Sequence, residues 1–203
     1  MPQPFTLAVF TKNRVNPAYD APRQVAARVA AEASARTLQY VPETPDHVGQ
    51  QKALVSEALA LRPDAVLLNP TDDVAMAEDL ARFAAAGIPV VLIINRMEGQ
   101  ALTFVGSDDV GVGYTAAKAL ISGSGGLGGK GSIVALDGTP SAPTARDRTV
   151  GLKRAVAENP GIELLGSRVG YLMAPPARTA MAELLEAHPR IDGVWCANDV
   201  MAF

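Results

Sequence analysis

Asp64-Ala65-Val66 leads through a short apolar run to Asn69 and then to Asp73-Val74-Ala75-Met76-Ala77. Asp192-Gly193-Val194 leads in the same way to Asn198 and then to Asp199-Val200-Met201-Ala202. The aspartates stand 128 residues apart and the asparagines 129. Upstream, Thr6-Leu7-Ala8-Val9-Phe10 with its Pro/Asn-containing loop corresponds to Ser132-Ile133-Val134-Ala135-Leu136 followed by Asp137-Gly138-Thr139-Pro140, at an offset of 126. A nearly constant offset across several apolar segments restricts the chain to two copies of one design. It predicts a first lobe over 1–106 and a second over 107–203. In the first half a helix and two more strands follow Asn69, whereas the second half reaches Phe203 barely a turn after Asn198. The second lobe is therefore expected to be C-terminally truncated.

Within each copy, β-branched apolar runs alternate with longer Ala-rich stretches at helical spacing, the pattern of an α/β fold with parallel strands and crossover helices. Strands are expected at Thr6–Phe10, Thr37–Val41, Ala65–Leu68, Pro89–Ile94, Thr103–Gly106, Ser132–Leu136, Ile162–Val169 and Gly193–Ala197. Helices are expected near Tyr19–Ala35, Val48–Leu61, Val74–Ala86, Val110–Ile121, Arg146–Glu158 and Ala177–His188. In the first helix, Val25, Val29 and the alanines make an apolar stripe, and Arg23, Arg28, Glu32 and Arg36 are expected to face water.

Composition excludes several function classes. Lys and Arg total 18 against 21 for Asp and Glu, and no basic block offers a footprint for phosphate backbones, so nucleic acid is not expected as a direct partner. No apolar run is long enough to cross a membrane. One cysteine, Cys196, and two histidines, His47 and His188, leave no disulfide framework and too few soft ligands for a zinc site. Cys196 reads as a packed strand thiol, and the two histidines as residues at helix ends.

In parallel sheets, ligands bind beyond the carboxyl ends of the strands. Those positions are polar here: Thr11, Lys12, Asn13, Asn16 and Tyr19; Asn69, Thr71 and Asp72; Asn95 and Arg96; Asp137, Thr139, Arg146 and Arg148; Asn198 and Asp199. Amides donate and accept, an Arg fork donates in a plane, and Tyr19 offers a stacking face. The set suits the adjacent hydroxyls of a polyol or sugar. Asn69 and Asn198 equally suit the caps of the helices that follow them. Asp72, Asp108, Asp137 and Asp147 read as caps, turn residues or hinge contacts.

Asn16-Pro17-Ala18-Tyr19, Leu68-Asn69-Pro70-Thr71-Asp72, Ile88-Pro89-Val90-Val91 before Asn95-Arg96, Val105-Gly106-Ser107-Asp108, Ala145-Arg146-Asp147-Arg148 and Ala197-Asn198-Asp199-Val200-Met201-Ala202 together resemble the type I periplasmic binding proteins. That family includes ribose-binding-like proteins and the effector domains of LacI-type repressors. The resemblance covers nearly the whole chain and implies a two-lobed α/β fold, each lobe a parallel sheet flanked by helices. It places Asn16, Tyr19, Asn69, Asn95, Arg96, Arg146 and Asn198 along a sugar cleft between the lobes. In this chain Asn95 stands where the family often has Asp before Arg, and Ala18 and Tyr19 stand where sugar binders commonly place two aromatics.

The resemblance implies a solute-binding protein that presents a monosaccharide to the membrane permease of an ABC importer, in the bacterial periplasm. The alternative is the ligand-sensing domain of a LacI-type transcriptional regulator or of a receptor, and a regulator would be cytoplasmic. No cofactor or metal is expected. Neither a His beside a Ser or Cys nucleophile nor an acidic pair tied to a metal motif is present, so an enzyme is not expected. Gly123-Ser124-Gly125-Gly126-Leu127-Gly128 matches G-x-G-x-x-G in letters, but it follows a helix and precedes a strand, the reverse of a dinucleotide turn. It reads as a flexible connection.

Overall fold

The structure is a computed structural model describing residues 4–203. The chain divides into two units, one ending at Gly106 and the other spanning Ser107–Phe203, each folded about its own sheet.

The first unit alternates β1 (Thr6–Phe10), α1 (Asp20–Glu32), β2 (Arg36–Tyr40), α2 (Val48–Leu61), β3 (Ala65–Leu68), α3 (Ala77–Ala85), β4 (Val90–Ile93) and β5 (Thr103–Val105). The strands form one parallel sheet in the order β2-β1-β3-β4-β5. Leu7 is opposite Ala65, and Val66 is opposite Val90, so the carboxyl ends of the central strands lie side by side. Strand alternation sends Ala8 and Phe10 into a core with Val55, Ala58, Leu80 and Phe83 from α2 and α3. There Phe10 stacks on Tyr40 at 4.7 Å between ring centroids.

The first helix departs from its expected orientation. Arg23 is buried together with Ala26 and Ala30, while Val25 and Val29 are 47% and 51% exposed. Residues 23, 26 and 30 share one stripe at helical spacing, and the small alanines bring the helix close to the sheet. Arg23 sits at the polar carboxyl end of β1, where Nη1 donates to Thr11 Oγ1 at 2.8 Å and to the Asn13 carbonyl at 3.0 Å, and Nη2 pairs with Asp20. The guanidinium is buried because its donors are taken. The outward valines line an apolar depression with Phe5, Leu7, Ile93 and Val105.

The second unit contains α4 (Asp109–Ser122), β6 (Gly131–Asp137), α5 (Pro143–Ala157), β7 (Ile162–Val169), α6 (Ala174–Ala187) and β8 (Gly193–Cys196). Its parallel sheet has the order β7-β6-β8, the arrangement of β2-β1-β3 in the first unit, so the sequence repeat is also a repeat of topology. Among the described residues β8 pairs only with β6 and is an edge strand. α5 and α6 each begin three residues earlier than expected, because Pro143 and Pro175 sit in their first turns, where a missing N–H costs nothing. α3 begins three residues later than expected, after a turn held by Asp72. The glycine-rich connection from α4 to β6 is not loose: Leu127 N donates to the Leu120 carbonyl at 2.9 Å and Gly129 N to the Ile121 carbonyl at 2.8 Å.

Candidate functional site

In the first unit, three neighbouring strands end in buried polar side chains. Asn69 directly follows β3. Gln51, fully buried on α2, donates from Nε2 to the Asn69 carbonyl at 3.0 Å and accepts from Thr71 N at 2.7 Å and Thr71 Oγ1 at 2.9 Å. The backbone of this turn is thereby fixed, while the Asn69 side chain is left with both Nδ2 and Oδ1 buried and without a hydrogen-bond partner.

Asn95 lies two residues beyond β4. Ile94 before it has φ 64°, a left-handed conformation that costs a β-branched residue on the order of 1–3 kcal/mol. The bend is held by Ile94 N donating to the Val105 carbonyl at 2.9 Å. Asn95 Nδ2 donates to the Pro70 carbonyl at 3.0 Å, which brings it to the Asn69 turn, and its Oδ1 is buried and unpaired.

Lys12, two residues beyond β1, is fully buried, and its Nζ has no hydrogen-bond partner. Burial pushes its pKa down, against the opposing pull of the Asp46 and Asp72 carboxylates. Those carboxylates are engaged elsewhere: Asp46 accepts from Asn13 Nδ2 at 2.7 Å, and Asp72 from Val74 N at 2.9 Å and Ala75 N at 2.8 Å. Leaving this many polar atoms unmade inside a protein is expensive, and such groups gather where a ligand completes them.

The other expected residues of this unit have local roles. Asn16 caps the 3-10 turn Pro17–Tyr19 by accepting from Ala18 N at 3.0 Å, and Tyr19 is buried. Arg96 is exposed, with its guanidinium carbon 4.7 Å from the Phe104 ring centroid.

In the second unit, Asn198 follows β8 by two residues. It donates from Nδ2 to the Leu172 carbonyl at 3.2 Å and accepts from Met201 N at 3.1 Å, the capping role open to it from sequence. Leu172 and Tyr171 are both left-handed, at φ 60° and 55°. Arg146 is exposed in the first turn of α5, and Nη1 reaches the Pro140 carbonyl at 3.3 Å. Arg148 Nη1 donates to the Ala197 carbonyl at 2.8 Å and fixes the backbone just before Asn198. Thr139 Oγ1, beyond β6, is buried and unpaired. Asp108 caps α4 by accepting from Gly111 N at 3.0 Å, and His47 caps α2 by accepting from Gln50 N at 3.1 Å. Cys196 is half-buried, and burial pushes its thiol pKa up.

Among the described residues no group of His, Cys, Asp and Glu is arranged to hold a metal, and no helix is long and apolar enough to cross a membrane. Lys12 and Gln51 carry more of the site than sequence reading assigned them. The available signal was position: a lysine two residues past the apolar run Leu7–Phe10, and a glutamine in helical register with Val55 and Ala58.

Residues 7–203 match the periplasmic binding protein domain. The chain belongs to that family. This periplasmic binding protein domain is 32% identical over 154 residues to the ribose import binding protein RbsB of Bacillus subtilis, covering 75% of this chain and 49% of that protein. It is 27% identical over 199 residues to the D-apiose import binding protein of Actinobacillus succinogenes, covering 97% of this chain and 62% of that one. The chain thus spans about half to two thirds of the length of these relatives. A crystal structure of an ABC transporter solute-binding protein from Actinobacillus succinogenes with bound D-allose superposes with a TM-score of 0.88 at 28% identity, covering 98% of this chain and 71% of that one.

Proposed function

We propose that this periplasmic binding protein binds a neutral monosaccharide or small polyol at the carboxyl ends of its parallel strands and delivers it to the permease of an ABC importer. The observation that carries the reading is Asn69, whose side chain is buried with both its donor and its acceptor unfilled. A hydroxyl group supplies both complements at once. Asn95 Oδ1 extends the same demand to a neighbouring strand end. The import proteins and the allose complex among its relatives support a sugar as the guest.

In this reading Asn16, Tyr19, Asn69, Asn95 and Arg96 of the first unit and Arg146 and Asn198 of the second are the ligand contacts. The protein is a carrier rather than a catalyst, and it works in the bacterial periplasm. Isothermal titration with D-ribose, D-apiose and D-allose tests the proposal. A saturable heat with at least one of them, weakened by Asn69→Ala, is the expected result; no heat with any of them overturns it.

A further inference from the structure

Lys12 is not required by the fold. It extends the strand whose Phe10 packs against Tyr40 and Phe83, yet it ends in a buried amine without a hydrogen-bond partner. An apolar side chain of similar length would fill the position without that desolvation cost. The carboxylates that act on it, Asp46 and Asp72, are held by Asn13 and by the turn amides after Asp72, and neither hydrogen-bonds to Nζ.

The unfilled polar atoms at the ends of β1, β3 and β4 divide evenly. Lys12 Nζ and Asn69 Nδ2 are donors; Asn69 Oδ1 and Asn95 Oδ1 are acceptors. A carboxylate guest would fill the donors but set its charge against two amide oxygens and two nearby aspartates. Hydroxyls on adjacent carbons fill both kinds, since each donates and accepts.

We propose that Lys12 is a specificity-determining ligand contact, its terminal amine hydrogen-bonding one hydroxyl of a bound neutral sugar beside Asn69 and Asn95. This rests on the sugar-binding reading above and adds to it a residue and a selected group. It makes the site a discriminator against sugars lacking that hydroxyl, because their binding leaves the amine buried and unpaired.

The test is titration of the wild-type protein and of Lys12→Met with the tightest binder among D-ribose, D-apiose and D-allose and with its mono-deoxy analogues. Thermal melting of both empty proteins accompanies it. The variant is expected to bind the parent sugar about 10- to 100-fold more weakly. It should bind one deoxy analogue as well as wild type does, and melt empty at or above the wild-type temperature. Should Lys12→Met not fold, Lys12→Gln is titrated with the same expected loss for the parent sugar and the same equality for one analogue. Parent-sugar affinity within twofold of wild type, or a loss equal for every analogue, overturns the role of Lys12 and leaves the sugar-binding reading standing. Tighter binding of the corresponding sugar acid than of the neutral sugar, abolished in the variant, overturns the hydroxyl assignment. Absence of binding by the wild-type protein to all three neutral sugars overturns the sugar-binding reading, and this inference with it.

Discussion

Arg148 holds Asp109 from both Nε and Nη2, each at 2.8 Å from the same carboxylate oxygen. The side chain of Asp109 is 5% exposed and that of Arg148 24%. With Nη1 on the Ala197 carbonyl, one guanidinium joins the start of α4, the first turns of α5 and the end of β8. Removing it strands a buried carboxylate, a change worth about 3–5 kcal/mol for a fully buried pair and, with Arg148 partly wet, about 2–3 kcal/mol here. Arg148→Met should lower the urea midpoint accordingly, and adding Asp109→Asn should recover part of the loss. A single variant as stable as wild type would show that the pair contributes nothing.

Asn69 and Asn198 occupy matching places in the repeat but should respond differently to truncation. Asn198 has two internal hydrogen bonds, one of which caps the turn Asp199–Met201; Asn69's side chain has none. Asn198→Ala should therefore cost about 1 kcal/mol of stability. Asn69→Ala should leave the melting temperature unchanged or raise it, while reducing sugar affinity about tenfold or more. Equal destabilisation by both would place Asn69 among the structural asparagines.

Much of this was readable from the chain because strands and repeats announce themselves locally. Thr6–Phe10, Ala65–Leu68 and Ile162–Val169 are strands over the expected residues, since β-branched runs bounded by turn residues depend little on what surrounds them. Which face of α1 is buried was not readable. Hydrophobicity favours Val25 and Val29, but close approach to the sheet favours the alanines, and Arg23 is buried because its partners Thr11 and Asn13 come from a different element. The candidate site divides in the same way. The position of Asn69 after β3 follows from topology, whereas the burial of Lys12 depends on loops around Asp46 and Asp72 that are distant in sequence.

Helix α4 meets α5 through two glycines that tolerate no side chain. A Cβ on Gly151 would lie 2.1 Å from the Val110 carbonyl oxygen, and one on Gly113 would lie 2.0 Å from the Arg148 carbonyl oxygen. Both obstacles are backbone, so relief requires the helices to move apart. Gly151→Ala gains helix propensity of about 1 kcal/mol, which in an exposed helix would stabilise. Overpacking should outweigh that gain and give a net loss on the order of 1–3 kcal/mol, read as a lower midpoint in denaturant. A stabilised Gly151→Ala would mean that the helices are not held at this separation.

The buried amine of Lys12 also makes a prediction about alkaline stability. Burial holds its pKa below the ordinary 10.5, outweighing Asp46 and Asp72, which act in the opposite direction. The folded protein therefore releases this proton at a lower pH than the unfolded chain. Between the lowered value and 10.5 the unfolded state binds more protons, so this group's contribution to unfolding free energy rises with pH through that window and is level above it. Tyr40, whose pKa burial raises, contributes the opposite slope at alkaline pH. The difference between wild type and Lys12→Met cancels Tyr40 and isolates the lysine. Measured by denaturant unfolding at a series of pH values, that difference should move in favour of wild type as pH rises and flatten past 10.5. Parallel curves would mean that Lys12 keeps its ordinary pKa and is not buried as an unpaired amine.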